Sequence, residues 1–261
     1  MTPPELNDLI THRVGPLVSV APTRGGYSNA TTVVVTSASG ERVFVKAVPD
    51  RPGGRLDEAL REAAVAPYTG GLSPALLWQE RRAGWLVLGF EAITGRPTDF
   101  APGSTDLPVL IEAVNRTNTL PVPEVASEWE ETRWDRFTPE EDLPLMRGNA
   151  LTHADLHPRN ALISEEGRMW FVDWSWPTLA SPVVTPSCLA VQLVASGHTP
   201  AEAEQWVSGV EAWKHHPEAA RVFARADAGL QRSFAERWPD EAWVDAMAAA
   251  AEAWAKRLGA R

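Results

Sequence analysis

His153, Asp155 and Asn160 stand in the order His-x-Asp-x-x-x-x-Asn within Leu151-Thr-His-Ala-Asp-Leu-His-Pro-Arg-Asn-Ala-Leu-Ile163. Asp173 ends an apolar run, Trp170-Phe-Val-Asp-Trp174, thirteen residues after Asn160. Phosphoryl transfer asks for such a set. A carboxylate must take or orient the proton of the attacking hydroxyl, and oxygen ligands must hold magnesium against the phosphates. Both must sit on a rigid hairpin so that nucleophile and phosphorus line up. Asp155 suits the first task. Asn160 and Asp173 suit the second, because hard oxygen donors match Mg2+. Each piece alone is common, since His-x-Asp arises by chance and a strand-end aspartate is often a cap. The combination, with a hairpin filling the gap, points to a nucleotide site rather than a structural loop.

Two further segments could serve the same chemistry. The chain has three lysines (Lys46, Lys214, Lys256) against 21 arginines, so a lysine inside an apolar strand stands out. Lys46, in Val43-Phe-Val-Lys-Ala-Val48, must either snorkel to solvent or meet an anion. In Gly25-Gly-Tyr-Ser-Asn29, Gly25 and Gly26 let backbone amides approach phosphate oxygens, and Ser28 and Asn29 add donors. The same residues equally describe a plain hairpin turn.

The elements that must position these groups fall into two halves. Strands are expected over Leu17–Ala21, Ala30–Thr36 and Arg42–Val48, with a turn at Ser37-Ala-Ser-Gly40. A helix is expected over Leu56–Tyr68, with Leu56, Ala59, Leu60 and Ala63 on one stripe. Strands over Ala75–Gln79 and Trp85–Phe90 follow, separated by the turn Glu80-Arg-Arg-Ala-Gly84. Composition shifts near Thr94, where Gly95–Ser104 reads as a loop, and helices dominate beyond it. Asp106 is placed to cap a helix carrying Leu107, Leu110, Ile111 and Val114. Thr199-Pro-Ala-Glu202 is a capping box with proline at the first helical position. Trp243, Met247, Ala251, Trp254 and Leu258 form a stripe on a last helix, and short strands cover Asn160–Ser164 and Met169–Asp173.

The segment around Asp155 resembles the catalytic loop of the aminoglycoside phosphotransferase family, small-molecule kinases of the protein-kinase-like superfamily. That family often carries His-Gly-Asp-Leu-His-Pro-x-Asn here, and Ile-Asp-Trp where this chain has Val172-Asp-Trp174. The resemblance implies an α+β, bilobal protein-kinase-like fold. Residues 1–93 would be a small N-lobe with an antiparallel sheet and one helix, and residues 94–261 a larger, mainly helical C-lobe. It implies Asp155 as catalytic base, Asn160 and Asp173 as metal ligands, His157 beside the γ-phosphate and His153 as a structural histidine. Lys46 would contact the α- and β-phosphates and pair with a helix glutamate. Glu62, sixteen residues on, is the matching candidate, and Glu58, one turn earlier, its rival. Gly25-Gly-Tyr-Ser-Asn29 is similar to the family's Gly-Gly-x-x-Asn loop over the nucleotide. Backbone groups near Glu91 and Ile93 would meet the base of ATP or GTP. The chain departs from the family after Asp173. Where Gly-Asp-Pro-x-x-Asp-Leu is usual, it has Trp176-Pro-Thr-Leu-Ala-Ser-Pro-Val-Val-Thr-Pro-Ser187, with Thr185 near the expected structural aspartate.

Composition bounds the partners. A net charge of −10 argues against a general nucleic-acid binder and favours cationic ligands. There is no run of about 18 apolar residues for a membrane span, the N-terminus lacks the pattern of a secretion signal, and Cys188 is the single cysteine. These features fit a cytoplasmic protein. Glu124–Asp142 holds eight acids and two arginines; it is either a solvated face or a rim that recruits a cationic substrate. Trp174 and Trp176 neighbour Asp173 and could stack on a ring in the cleft, whereas His215-His216 reads as surface. The expected activity is transfer of the γ-phosphoryl of ATP or GTP, with Mg2+, to a hydroxyl of a small substrate. An aminoglycoside-like or other antibiotic leads that class, with a sugar or amino-alcohol as the other option. A nucleotide-binding pseudokinase acting as a scaffold is the alternative of another class. Nothing in the sequence sets the oligomeric state.

Overall fold

A computed structural model describes residues 4–23 and 30–259. Strands β1 (Leu17–Pro22), β2 (Thr31–Ser37), β3 (Arg42–Pro49), β4 (Leu76–Arg82) and β5 (Trp85–Glu91) form one antiparallel sheet in the order β1-β2-β3-β5-β4. Alternation along β3 divides its side chains between the two faces. Val43, Val45 and Ala47 point to one face and pack with Leu6, Leu9 and Ile10 of helix α1 (Pro4–Val14). Phe44 and Val48 point to the other and pack with Leu56, Ala59 and Ala63 of helix α2 (Gly54–Val65). Lys46 shares that second parity, so register alone carries it to the α2 face. The sheet is thus covered twice, and α1 is a helix the sequence reading left unassigned.

The rest of the described chain is mainly helical, built around a small β framework. Strand β6 (Gly95–Pro97) pairs with β8 (Ala161–Ser164), and β8 pairs with β9 (Met169–Phe171). Strand β7 (Ala150–Thr152) pairs with β10 (Thr178–Ala180). Around these lie α3 (Leu107–Thr117), α4 (Leu143–Met146), α5 (Val184–Ala195), α6 (Pro200–Val207), α7 (Glu211–His215), α8 (Pro217–Arg237) and α9 (Ala242–Arg257). Leu189, Ala190 and Leu193 of α5 pack against Ala251 and Trp254 of α9 in the main core, which also takes in Leu151, Phe171 and Trp174. The segment carrying Asp155 and Asn160 therefore hangs between strands rooted in the largest apolar cluster. Val65 and Leu72 join that same core, so the chain leaving α2 is anchored in the helical half. No helix among the described residues is long and apolar enough to cross a membrane.

Three local expectations change. Gly95–Ser104 is not all loop, because Gly95 begins β6. A Cβ there would lie 2.3 Å from the carbonyl oxygen of Ile163, so the close pairing needs glycine. Asp106 does not cap α3. Its buried carboxylate accepts from both terminal nitrogens of Arg96 (2.6 and 2.8 Å) and from the Asp99 amide (2.9 Å). A bidentate guanidinium outcompetes a helix end for the same oxygens, and Arg96 holds the Asp106 carboxyl below its usual range. On α9, Trp243 is exposed, and Val244 and Ala248 supply the inner face in its place. The Thr199–Glu202 capping box forms with both reciprocal bonds.

Candidate active site

Lys46 is buried, and its Nζ lies 2.7 Å from Glu62 Oε2, 2.7 Å from Asp173 Oδ1 and 2.7 Å from Ser175 Oγ. β3 supplies the lysine, α2 the glutamate, and the segment after β9 the aspartate and serine. Burial alone would lower the Lys46 pKa, but the two carboxylates overcome it and hold the ammonium charged well above its ordinary range. Asp173 is shifted the other way: burial opposes its charge, and Lys46 and Ser175 prevail and keep it ionised. Glu62, not Glu58, meets the lysine, and its carboxylate also receives the Trp174 backbone N–H. Ser175 was not singled out in the sequence. A serine two residues past an aspartate carries no signal until the backbone turn is known.

The loop between β7 and β8 carries the other half. Asn160 donates from Nδ2 to the Asp155 carbonyl (3.0 Å) and to Asp155 Oδ2 (3.1 Å), tying the two ends of the loop together. The Val172 amide donates to the Asn160 carbonyl (2.9 Å), extending the β8–β9 pairing toward Asp173. His153 is buried, and its Nε2–H donates to the Val172 carbonyl at 2.8 Å. Its ring meets Trp174 edge-on, with centroids 4.8 Å apart. Burial holds the imidazole below its ordinary pKa of 6.5, so it is a neutral donor fastening the strand that delivers Asp173. His157 Nε2 lies 3.9 Å from Asp155 Oδ2, and burial lowers its pKa as well.

Two residues of the site adopt left-handed backbone, Ala154 at φ 54° and Asp173 at φ 62°. Aspartate tolerates that region, and alanine is strained in it. Ala154 stands where the similar family often has glycine. Its carbonyl accepts from Arg133 Nη1 at 3.0 Å, and Arg133 pairs with the buried Glu131, which also accepts from Thr178 Oγ1 at 2.7 Å. This brace is a second feature the sequence did not reveal, because Glu131 is one acid among eight. Thr185, near the position of the family's structural aspartate, lies at the start of α5. Its hydroxyl is buried with no hydrogen-bond partner among the described residues.

Other expected positions resolve individually. Gly25, Gly26, Ser28 and Asn29 lie outside the described residues. Glu91 ends β5, and its amide donates to the Ala75 carbonyl at 2.9 Å. Ile93 follows in the connector and makes no backbone–backbone hydrogen bond among the described residues. Trp174 is core: it is buried, and its Nε1–H donates to the Phe171 carbonyl. It cannot stack on a ligand, whereas Trp176 remains 40% exposed. The acidic stretch divides. Glu130 and Asp135 pair with Arg147, Asp142 with Arg225, and Glu131 is buried in the brace. Glu124, Glu128, Glu140 and Glu141 are exposed.

The donor set fits Mg2+ held jointly with phosphates. Asn160 commits its side-chain Nδ2 to Asp155, and its side-chain Oδ1 accepts no hydrogen bond among the described residues. Asp173 Oδ2 accepts no hydrogen bond among the described residues. Magnesium takes one or two protein oxygens and completes its octahedron with phosphate and water. Consistent with that, no three His, Cys, Asp or Glu side chains among the described residues form a closed metal cage.

No protein-family model and no curated protein sequence matches the chain. Solved structures do. Choline kinase LicA from Streptococcus pneumoniae superposes with TM-score 0.63 at 16% identity, covering 96% of this chain and 99% of that one. Aminoglycoside phosphotransferase APH(4)-Ia gives 0.61 at 12% identity, covering 95% and 98%. Amicoumacin kinase hAmiN, in complex with AMP-PNP, Ca2+ and Ami, gives 0.60 at 14%, covering 98% and 94%. The chain therefore has the bilobal, protein-kinase-like fold of the aminoglycoside phosphotransferase and choline kinase group.

Proposed function

We propose that the chain is a magnesium-dependent small-molecule kinase, moving the γ-phosphoryl of ATP or GTP to a hydroxyl of a small, hydroxylated acceptor. One observation carries the reading: β3, α2 and the segment after β9 bring Lys46, Glu62 and Asp173 within 2.7 Å contacts, beside a loop in which Asn160 bonds Asp155. No structural need explains a buried lysine shared by two carboxylates, and such a cluster is costly to keep for stability alone. In this reading Lys46, held by Glu62, neutralises the α- and β-phosphates. Asp155 orients the acceptor hydroxyl and takes its proton, with His157 close to the γ-phosphate. Asn160 and Asp173 hold Mg2+, which when bound offsets the charge of the phosphates. Gly25, Gly26, Ser28 and Asn29 cover the phosphates, and backbone groups at Glu91 and Ile93 meet the base. The border between lobes is placed at Ile93/Thr94.

The acceptor class is an aminoglycoside-like or other antibiotic. Its support is the shared fold of the named kinases and the four exposed acids of the Glu124–Asp142 stretch that form no ion pair among the described residues, Glu124, Glu128, Glu140 and Glu141, which favour a cation. The test is a panel of hydroxylated antibiotics, choline-like amino-alcohols and sugars, each with ATP and GTP, reading nucleoside diphosphate release. Release with one acceptor class, lost in Asp173→Ala, supports the proposal. No release with any acceptor, and no binding of either nucleotide by calorimetry, rejects it.

A further inference from the structure

Arg61 follows Leu60 on α2 and immediately precedes Glu62. Its guanidinium carbon lies 4.8 Å from the centre of the Trp129 ring and 4.6 Å from that of Trp176. Both indoles belong to the helical half and hang from one support. The Leu179 amide donates to the Trp129 carbonyl at 2.7 Å, and Trp176 lies between Asp173 and β10, the strand that contains Leu179. Among the described residues no carboxylate pairs with Arg61, although Glu128 and Glu130 flank Trp129 in a chain of net charge −10. The guanidinium is held by ring faces instead, where flat stacking and the ring quadrupole attract it.

The location gives the contact a consequence. Lys46 is shared between Glu62 and Asp173, and a metal ion on Asp173 would weaken that aspartate's hold on the lysine. What keeps Lys46 in place at that moment is Glu62, whose position depends on α2. α2 is rooted at its C-terminal end, where Val65 enters the main core; Arg61 fixes the helix one turn earlier, next to the glutamate itself. We infer that Arg61, clamped between Trp129 and Trp176, is a positioning residue that holds α2 against the helical half and so keeps Glu62 on Lys46. This inference rests on the proposed kinase reading for its catalytic consequence, and on geometry alone for its effect on α2.

The experiment separates the two. Amide hydrogen exchange over residues 54–65 is measured in wild type, Arg61→Ala and Arg61→Lys, with magnesium-dependent nucleotide turnover and Tm on the same proteins. The expected result is exchange about tenfold faster in R61A, with kcat about tenfold lower, KM for the nucleotide changed less, and Tm nearly unmoved. R61K, which keeps the charge for the ring quadrupole but loses the planar stacking, should restore part of both. Trp176→Leu, which leaves Trp129 in contact, should give part of the R61A loss, and R61A/W176L no more than R61A alone, because Arg61→Ala already removes both contacts. Unchanged exchange in R61A overturns the inference, whatever the turnover, and so do losses that multiply in the double variant. A wild type that turns over no nucleotide counts against the kinase reading, and the exchange measurement still decides the clamp.

Discussion

Asp155 keeps 65% of its side-chain surface open, while His153, Leu156 and Asn160 around it are buried. A rigid, buried loop thus presents one accessible carboxylate, the arrangement a general base needs. Asp155→Asn retains the bond geometry to Asn160 and removes only the proton acceptor. We expect turnover to fall roughly a hundredfold or more, with nucleotide affinity nearly intact because Lys46 is untouched. Full activity in a clean assay would remove Asp155 from its role. Asp227 on α8, a buried acid, takes no part in the site. Burial raises its pKa above 3.8, against the opposing bonds from Trp134 Nε1 (2.9 Å) and Gln231 Nε2 (3.3 Å). A carboxyl whose folded pKa is raised favours the folded state below its unfolded value and loses that contribution as pH rises through the folded one. Asp227→Asn, which keeps an acceptor for Trp134, should therefore be more stable than wild type at pH 7 and match it near pH 3.5. Urea midpoints at the two pH values decide this; a constant difference between them means the charge is not what burial penalises.

Two alanines at element junctions carry positive φ, and each has a sequence-level remedy. Arg82 and Trp85 pair across the β4–β5 turn, so Ala83 and Gly84, at φ 52° and 79°, form a two-residue loop of the mirror-image kind. Asn-Gly is the preferred pair there, and Ala83→Asn should stabilise by about 0.5–1 kcal/mol. Ala154→Gly removes a similar strain of about 1–2 kcal/mol but costs about 0.4–1 kcal/mol of chain entropy. It should come out neutral to about 1.6 kcal/mol more stable, the reverse of what Ala→Gly does in a helix. Denaturant midpoints test both, and a loss in either would mean that its neighbours hold the left-handed residue without strain. These junctions also show what was legible. The strands of the small sheet were readable because β-branched alternation is local, and the catalytic hairpin because His153, Asp155, Asn160 and Asp173 lie within one stretch of chain. Glu62 was readable only to within one helical turn of Glu58, since helix phase depends on packing. β6, the Arg133–Ala154 brace and the Arg61 clamp were not readable. Each joins residues distant in sequence through groups, a glycine contact or an arginine among 21, whose meaning is fixed by the partner.

At the scale of the molecule, specific contacts among the described residues join the sheet half to the helical half. Besides Lys46 and Arg61, the Phe171 amide donates to the Leu72 carbonyl (2.6 Å), Arg168 to the Gly71 carbonyl (2.6 Å) and Arg116 to the Gly70 carbonyl (3.0 Å). All three hold the chain just beyond α2, and Arg42 of β3 also donates to Thr94 Oγ1. The charges around Lys46 are unbalanced: Glu62 and Asp173 share one lysine, in a protein of net charge −10. A nucleoside triphosphate alone adds negative charge to a negative site and should bind weakly. In the proposed reading, together with Mg2+ it would meet Asn160 and Asp173 through the cation and Lys46 through the phosphates, and so would join both halves. Binding at a hundred times Kd stabilises by about 2.7 kcal/mol, which for a chain of this size is roughly 5–10 °C in Tm. We expect ATP or GTP with Mg2+ to raise Tm by that amount and either nucleotide with a chelator to raise it by roughly 1 °C or less. Asp173→Ala should lose the magnesium-dependent part while Asp155→Asn keeps it, because the first removes a ligand and the second leaves Asn160 and Asp173 in place. An equal rise with and without the cation would mean that Lys46 alone secures the phosphates, and that Asp173 is there for the lysine rather than for a metal.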